Sequence, residues 1–183
     1  MEDYEDYPYV QDNLELMLTR RGFSNVVKKG EIVKEVGTLT IMENPDTKEY
    51  IYTYFITPGD KVFIKKIREI VVQEEKKHTI IIVHDMPFTS DSKSTIQVNN
   101  VFVFETFSYA ELMYDPISII PRPYELYKGP VIKETSKLPK ICDCITKYYA
   151  FKPGSIVQVE DERTGIPFLY LVTKAASDEV RKR

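Results

Sequence analysis

The chain has 183 residues, of which 43% are hydrophobic and 29% charged, and its net charge is −3. That length supports one large core or two small ones, and the balance is that of a globular protein rather than a disordered or fibrous one. No apolar run approaches the roughly 20 residues a bilayer crossing needs, the acidic start is not that of a signal or transit peptide, and the negative balance argues against a free-standing nucleic-acid binder with a broad basic face.

Residues 1–9 interleave Glu2, Asp3, Glu5 and Asp6 with Tyr4, Tyr7 and Tyr9. They read as a flexible acidic arm or a partner-binding tail, with a disordered end the favoured reading. From Val10 the pattern becomes helical, with Val10, Leu14, Met17 and Leu18 on one apolar face. Arg20 and Arg21 fall in its last turn, where they complement the helix dipole with solvated heads, and Gly22 is a stop signal. The same arginines offer a nucleic-acid contact as the alternative.

Val36 to Met42 and Tyr50 to Ile56 read as strands joined by an Asn44-Pro45-Asp46 turn. Tyr50, Tyr52 and Tyr54 repeat with period two. Such a row can stack on bases, or it can line a sheet with aromatic cross-strand pairs. Pro58-Gly59-Asp60 opens a second predicted helix whose apolar stripe is Phe63, Ile67, Ile70 and Val71. Lys61, Lys65, Lys66 and Arg68 give that helix a basic surface.

Thr79 to Val83 is a continuous apolar run, expected as a central strand buried on both faces. After Asp85-Met86-Pro87-Phe88, the segment Thr89-Ser90-Asp91-Ser92-Lys93 opens a short helix capped by Thr89 or Ser90. A helix start carrying small hydroxyls and Lys93 suits phosphate oxygens, but on the residues alone an ordinary capped loop is the favoured reading. Val101 to Glu105 is the next expected strand, followed by a helical turn through Leu112 and a further strand over Ile117 to Ile120. Alternation of strands and helices implies an α/β layer up to about residue 115.

The stretch from Leu138 to Val172 has a different order. Cys144 to Tyr148 suggests a short helical turn, Lys152-Pro153-Gly154 a corner, and Ile156 to Glu160 with Phe168 to Val172 an antiparallel pair around Thr164-Gly165. Cys142 and Cys144, the only cysteines, lie too close for a good disulfide, and no further Cys completes a zinc site. They read as reduced structural or surface thiols. The tail from Ala175, ending Arg181-Lys182-Arg183, is expected to be solvated.

Chemistry of the enzymatic kind is not written in these motifs. There is no P-loop, Gly-rich dinucleotide turn or nucleophile elbow. A metal-dependent nuclease needs an Asp at one strand end and Glu-x-Lys on the next strand. Asp46 could supply the first, but Glu74-Glu75-Lys76 and Glu75-Lys76-Lys77 fall at a predicted helix end.

Leu138-Pro139-Lys140-Ile141, Asp143, Ile145, Lys147, Tyr148, Lys152 and Gly154 together resemble the assembly motif of the fifth subunit of DNA-dependent RNA polymerases, a family that archaea share in a shorter form. That family carries Asp-Pro-Val-Ala-Arg-Tyr-x-Gly. Cys144 stands in place of its Pro, Ala150 in place of its Gly, and Asp161 in place of an Arg. The resemblance reaches the N-terminal half through Arg21-Gly22, through Thr89-Ser90-Asp91-Ser92 where the family has Thr-Pro-Ser-Ala, and through Glu105-Thr106-Phe107. Ile117 to Pro123 keeps the apolar core and Pro121 of the family's next motif but neither of its histidines.

The resemblance implies a eukaryotic-type, two-domain arrangement: an α/β jaw domain (mixed sheet with flanking helices) over 10–116 and a small α+β assembly domain over 117–173, with an acidic arm before and a charged tail over 174–183. It implies a non-catalytic subunit that docks on the largest polymerase subunit and forms the lower jaw beside downstream double-stranded DNA, with no cofactor, metal, membrane or small-molecule substrate. Thr89, Ser90 and Ser92 match the jaw loop, to which Lys93 is added on chemistry alone as a phosphate contact. Leu138, Pro139, Ile141, Asp143, Tyr148 and Gly154 match the subunit interface. The expected compartment is the nucleus for a cellular protein, or a cytoplasmic viral factory or virion for a large DNA virus. The alternatives are a stand-alone interaction adaptor that kept the fold, and a nuclease-like domain.

Overall fold

The computed structural model describes residues 7–59, 79–97, 103–119 and 124–174. The chain divides into two compact units, Met1–Tyr114 and Asp115–Arg183. It is a mixed α/β protein with one five-stranded and one four-stranded sheet.

In the first unit α1 (Tyr7–Arg20) precedes β1 (Asn25–Val33), β2 (Gly37–Glu43) and β3 (Tyr50–Ile56). Then come β4 (Thr79–His84), α2 (Ser90–Gln97), β5 (Val103–Ser108) and α3 (Tyr109–Leu112). Sheet order follows chain order from β1 to β5. The pairs β1/β2 and β2/β3 are antiparallel, and β3/β4 and β4/β5 are parallel.

Register explains why both faces are apolar. Leu39 and Ile41 stand opposite Tyr54 and Tyr52, which stand beside Ile82 and Ile80. These residues form one buried cluster, with Phe88 and Ile96 packed against it. Thr53, Phe55, Ile81, Val83 and Phe107 fall on the opposite face. Ile80 to Val83 are completely buried, as expected of a parallel strand between two layers. Each such side chain contributes about 1.5–3 kcal/mol on leaving water. The apolar stripe of α1, Val10, Leu14, Met17 and Leu18, is at most 1% exposed.

Strand β1 is not anticipated by the residue pattern. Its apolar residues come in pairs, Val26-Val27 and Ile32-Val33, rather than in alternation. The register against β2 shifts twice, between Val26 and Lys28 and again between Lys28 and Glu31, so a period-two signal could not form. The expected strand at 101–105 lies instead at Val103–Ser108 among the described residues. The predicted helix after Asp60, with its basic surface of Lys61, Lys65, Lys66 and Arg68, lies outside the described residues. So do the acidic residues of the arm up to Asp6 and the tail from Ala175.

The second unit opens with α4 (Pro116–Ile119), which corrects the strand expected over Ile117 to Ile120. Apolar content suggested a strand, but Asp115-Pro116 is a helix start. The Asp115 carboxylate accepts the Ile117 N–H at 3.1 Å, and the Asp115 carbonyl accepts from Ser118 N and Oγ. Proline at the first helical position loses no needed donor.

Next come β6 (Tyr124–Leu126), a 3₁₀ turn (Thr135–Lys137), β7 (Lys140–Ile141), α5 (Cys144–Tyr148), β8 (Ile156–Glu160) and β9 (Pro167–Val172). The sheet order is β6-β8-β9-β7, with β8/β9 antiparallel as expected and β7/β9 parallel. Val157, Val159 and Val172 form its buried centre, flanked by Tyr124, Ile141, Phe151 and Tyr170. The corner before β8 closes through the Ser155 N–H donating to Lys152 O at 3.0 Å, with Gly154 at φ +91°. Pro153 and Gly154 thus take the turn positions their backbones favour.

Candidate functional site

In the first unit, the positions expected to match a jaw loop form the start of α2. Thr89 is the cap: its Oγ1 accepts the Ser92 N–H at 3.2 Å and donates to Ser92 Oγ at 2.9 Å. Ser92 is 7% exposed. Two of the four expected DNA-contact hydroxyls and cations, Thr89 and Ser92, are therefore engaged in shaping the loop. Ser90 and Lys93 have exposed side chains. Helix-start N–H groups lack intrahelical acceptors and favour an anion, while Asp91 in the same turn opposes one.

The tyrosine row is not a stacking platform. Tyr52 and Tyr54 are 7% and 0% exposed and belong to the sheet core, so of the two readings the cross-strand one holds.

Arg21 also departs from expectation. Its Nη1 donates to Glu105 Oε1 at 3.0 Å and lies 2.9 Å from Oε2, and the two side chains are only 6% and 18% exposed. The head is therefore paired rather than solvated. Arg21 and Glu105 are separated by 84 residues, so no periodicity could join them. The available signal was that both belong to motifs shared with the resembling family.

A second carboxylate was missed altogether. Glu43, 9% exposed at the end of β2, accepts from Asn25 Nδ2 at 2.7 Å and Tyr50 OH at 3.1 Å. Lys48 Nζ lies 3.7 Å away. The Asn25 and Tyr50 hydrogen bonds hold its carboxyl below the usual range against the opposing effect of burial. This network ties β1, β2 and β3 together at one end of the sheet. Asp46, the residue considered for a nuclease metal, is an exposed member of the adjoining turn, its N–H bonded to Asn44 Oδ1 at 2.9 Å.

In the second unit, the residues that match the resembling family's assembly motif build α5 and its surroundings. Asp143 caps the helix: Oδ1 accepts the Thr146 N–H at 2.9 Å, and Thr146 Oγ1 accepts the Asp143 N–H at 2.9 Å. Asp143 Oδ2 also accepts the Tyr124 hydroxyl at 2.7 Å, fastening α5 to β6. Tyr148 is 4% exposed and belongs to the interior. Leu138 and Ile141 are half-buried, and Pro139 and Gly154 are exposed. The Pro139 carbonyl accepts from Leu171 N at 2.9 Å and the Gly154 N–H donates to Val172 O at 2.8 Å, so both are held by β9 through their backbones. Asp161, where the resembling family has Arg, shapes the β8–β9 turn by accepting from Arg163 N, Thr164 N and Thr164 Oγ1.

The helix α5 ends with Phe151 N donating to Thr146 O and Ala150 N donating to Lys147 O, both at 3.0 Å. Ala150 takes φ +54° there. That is the left-handed position of a Schellman end, which favours glycine.

Among the described residues no group of three or more His, Cys, Asp or Glu side chains is arranged to hold a metal ion. No described helix is long and apolar enough to cross a membrane. No protein-family model matches the chain, and no curated protein matches it.

Proposed function

We propose that this chain is a non-catalytic subunit of a multisubunit DNA-dependent RNA polymerase. Its second unit is the assembly domain that docks on the largest subunit, and its first unit is the lower jaw beside downstream DNA. The observation that carries the reading is Ala150. The resembling family has glycine there, and this residue occupies a left-handed backbone position that only a glycine adopts without cost. A motif matched by chance has no reason to put its glycine at such a position. Two further motif residues agree: Asp143 has the capping task, and Arg21 meets Glu105.

In this reading the catalytic centre belongs to the large subunits. DNA contact at the start of α2 is made to phosphates and carries no sequence information. Ser90, Lys93 and the first-turn N–H groups make it, while Thr89 and Ser92 hold the loop in shape. The compartment follows the polymerase, the nucleus of a cell or the factory or virion of a DNA virus.

Affinity purification of the tagged chain from its native host, with mass spectrometry of the co-purifying proteins, tests this. Stoichiometric recovery of the two largest polymerase subunits is expected. In that complex, Lys93→Ala should lower downstream-DNA crosslinking without loss of subunits. Recovery of the chain alone or with unrelated proteins would overturn the reading in favour of an adaptor.

A further inference from the structure

The only cysteines of the chain meet at the junction of β7 and α5, in the order Ile141-Cys142-Asp143-Cys144. Both are free and exposed. Asp143 between them has φ −137° and ψ −177°, an extended backbone. An extended residue sends the Cα–Cβ bonds of its two neighbours to the same side of the chain.

Distance then decides which bond they can share. Two residues of extended chain hold their Cα atoms about 6.6–7.2 Å apart. A disulfide needs Cα atoms roughly 4.4–6.8 Å apart and Cβ atoms about 3.5–4.5 Å apart. With Asp143 in its capping conformation the pair therefore sits at or beyond the upper limit for a direct S–S bond. A single bridging ion at about 2.3 Å from each sulfur lets the sulfurs stay up to about 4.6 Å apart.

We propose that Cys142 and Cys144 chelate one soft, low-coordinate metal ion of the Cu(I) class. Both flanks of the pair are anchored. On one side Thr173 N donates to Ile141 O at 3.0 Å, and on the other Asp143 caps α5. The same contacts choose the ion. A structural zinc site takes four ligands, but the Asp143 carboxylate is engaged by Thr146 and Tyr124, and among the described residues no third ligand joins the thiols. Thiolate pairs select Cu(I) among the ions that accept few ligands. Binding forms two S–metal bonds, releases the two thiol protons to solvent and leaves the oxidation state of the ion and of both sulfurs unchanged.

The inference is independent of the polymerase reading and is tested on the isolated chain. Cu(I), supplied without oxygen from a chromogenic Cu(I) chelator, should transfer as one equivalent per chain. X-ray absorption at copper should show two sulfur ligands. Cys142→Ser and Cys144→Ser, which alter exposed atoms and should leave the metal-free melting temperature unchanged, should each weaken capture by about 100-fold or more, since each removes the chelate. Cu(I) should raise the melting temperature of the natural chain and not of Cys144→Ser, because the ion locks the capping conformation. Equal capture by either serine variant, nitrogen ligation, or two ions per chain would overturn the proposal.

Discussion

Two helices of this protein end in the same way with different residues. At the end of α1, Phe23 N donates to Leu18 O at 2.9 Å and Gly22 N to Thr19 O at 3.0 Å, with Gly22 at φ +94°. At the end of α5 the same two bonds form around Ala150. Identical backbone hydrogen bonding is thus achieved once with a residue that adopts left-handed φ freely and once with one that resists it. The second case persists because the rest of the unit specifies the end. The Asp143 cap, the buried Ile145 and Tyr148, and the Phe151 ring stacked on Tyr149 at 5.4 Å hold the chain on both sides of Ala150. Hydrogen bonding alone therefore does not identify the residue at a helix stop; the surrounding packing sets how much strain is tolerated.

The comparison can be broken most severely just before the first stop. Arg21→Ala leaves Glu105 with its carboxylate largely desolvated and without this partner, and should cost about 2–4 kcal/mol, somewhat below a fully buried pair because Glu105 retains some water. Urea denaturation of the variant at neutral pH measures it, and a loss below about 1 kcal/mol would show the pair to be a surface contact in effect. At the first stop itself, Gly22→Ala should cost about 1–2 kcal/mol from backbone strain. The new Cβ would also come within 3.1 Å of Asn44 Nδ2, so the loss should sit at the upper end. At the second stop the sign reverses. Ala150→Gly relieves about 1–2 kcal/mol of strain and adds about 0.5–1 kcal/mol of unfolded-state entropy, for a net gain near 0.5–1 kcal/mol. Calorimetry of the three variants ranks them, and a loss of stability in Ala150→Gly would mean that the methyl group contributes packing that outweighs the strain.

What could be read from the residues depended on whether the signal was local. The buried β4, the Tyr50–Ile56 strand, the capped start at Thr89 and the Pro153-Gly154 corner each carry their cause within a few neighbouring residues, and each was legible. Strand β1 was not, because its register shifts erase alternation. The α4 segment misled because Ile117, Ile119 and Ile120 outweighed the Asp115-Pro116 start in an apolarity reading. At the candidate sites, Asp143 falls on the docking motif of the resembling family, and its carboxylate has partners within its own unit that spacing does not announce. The Arg21–Glu105 and Glu43–Asn25–Tyr50 contacts could not be read from periodicity, because chain folding brings their members together.

Strand β1 also has a bearing on solubility. It is the outermost of the described strands in its sheet, nine residues long, with Val26, Val27 and Ile32 exposed. A straight strand of that composition would be a template on which further chains could add edge to edge. Two register shifts bend its outline, the Lys28–Glu31 ion pair lies across the bend, and Lys29 is drawn to Glu15 of α1 at 2.7 Å. An approaching strand would have to match an irregular ladder and strip water from these charges. The boundary of the sheet is thus guarded against runaway self-association by the same irregularity that hid the strand.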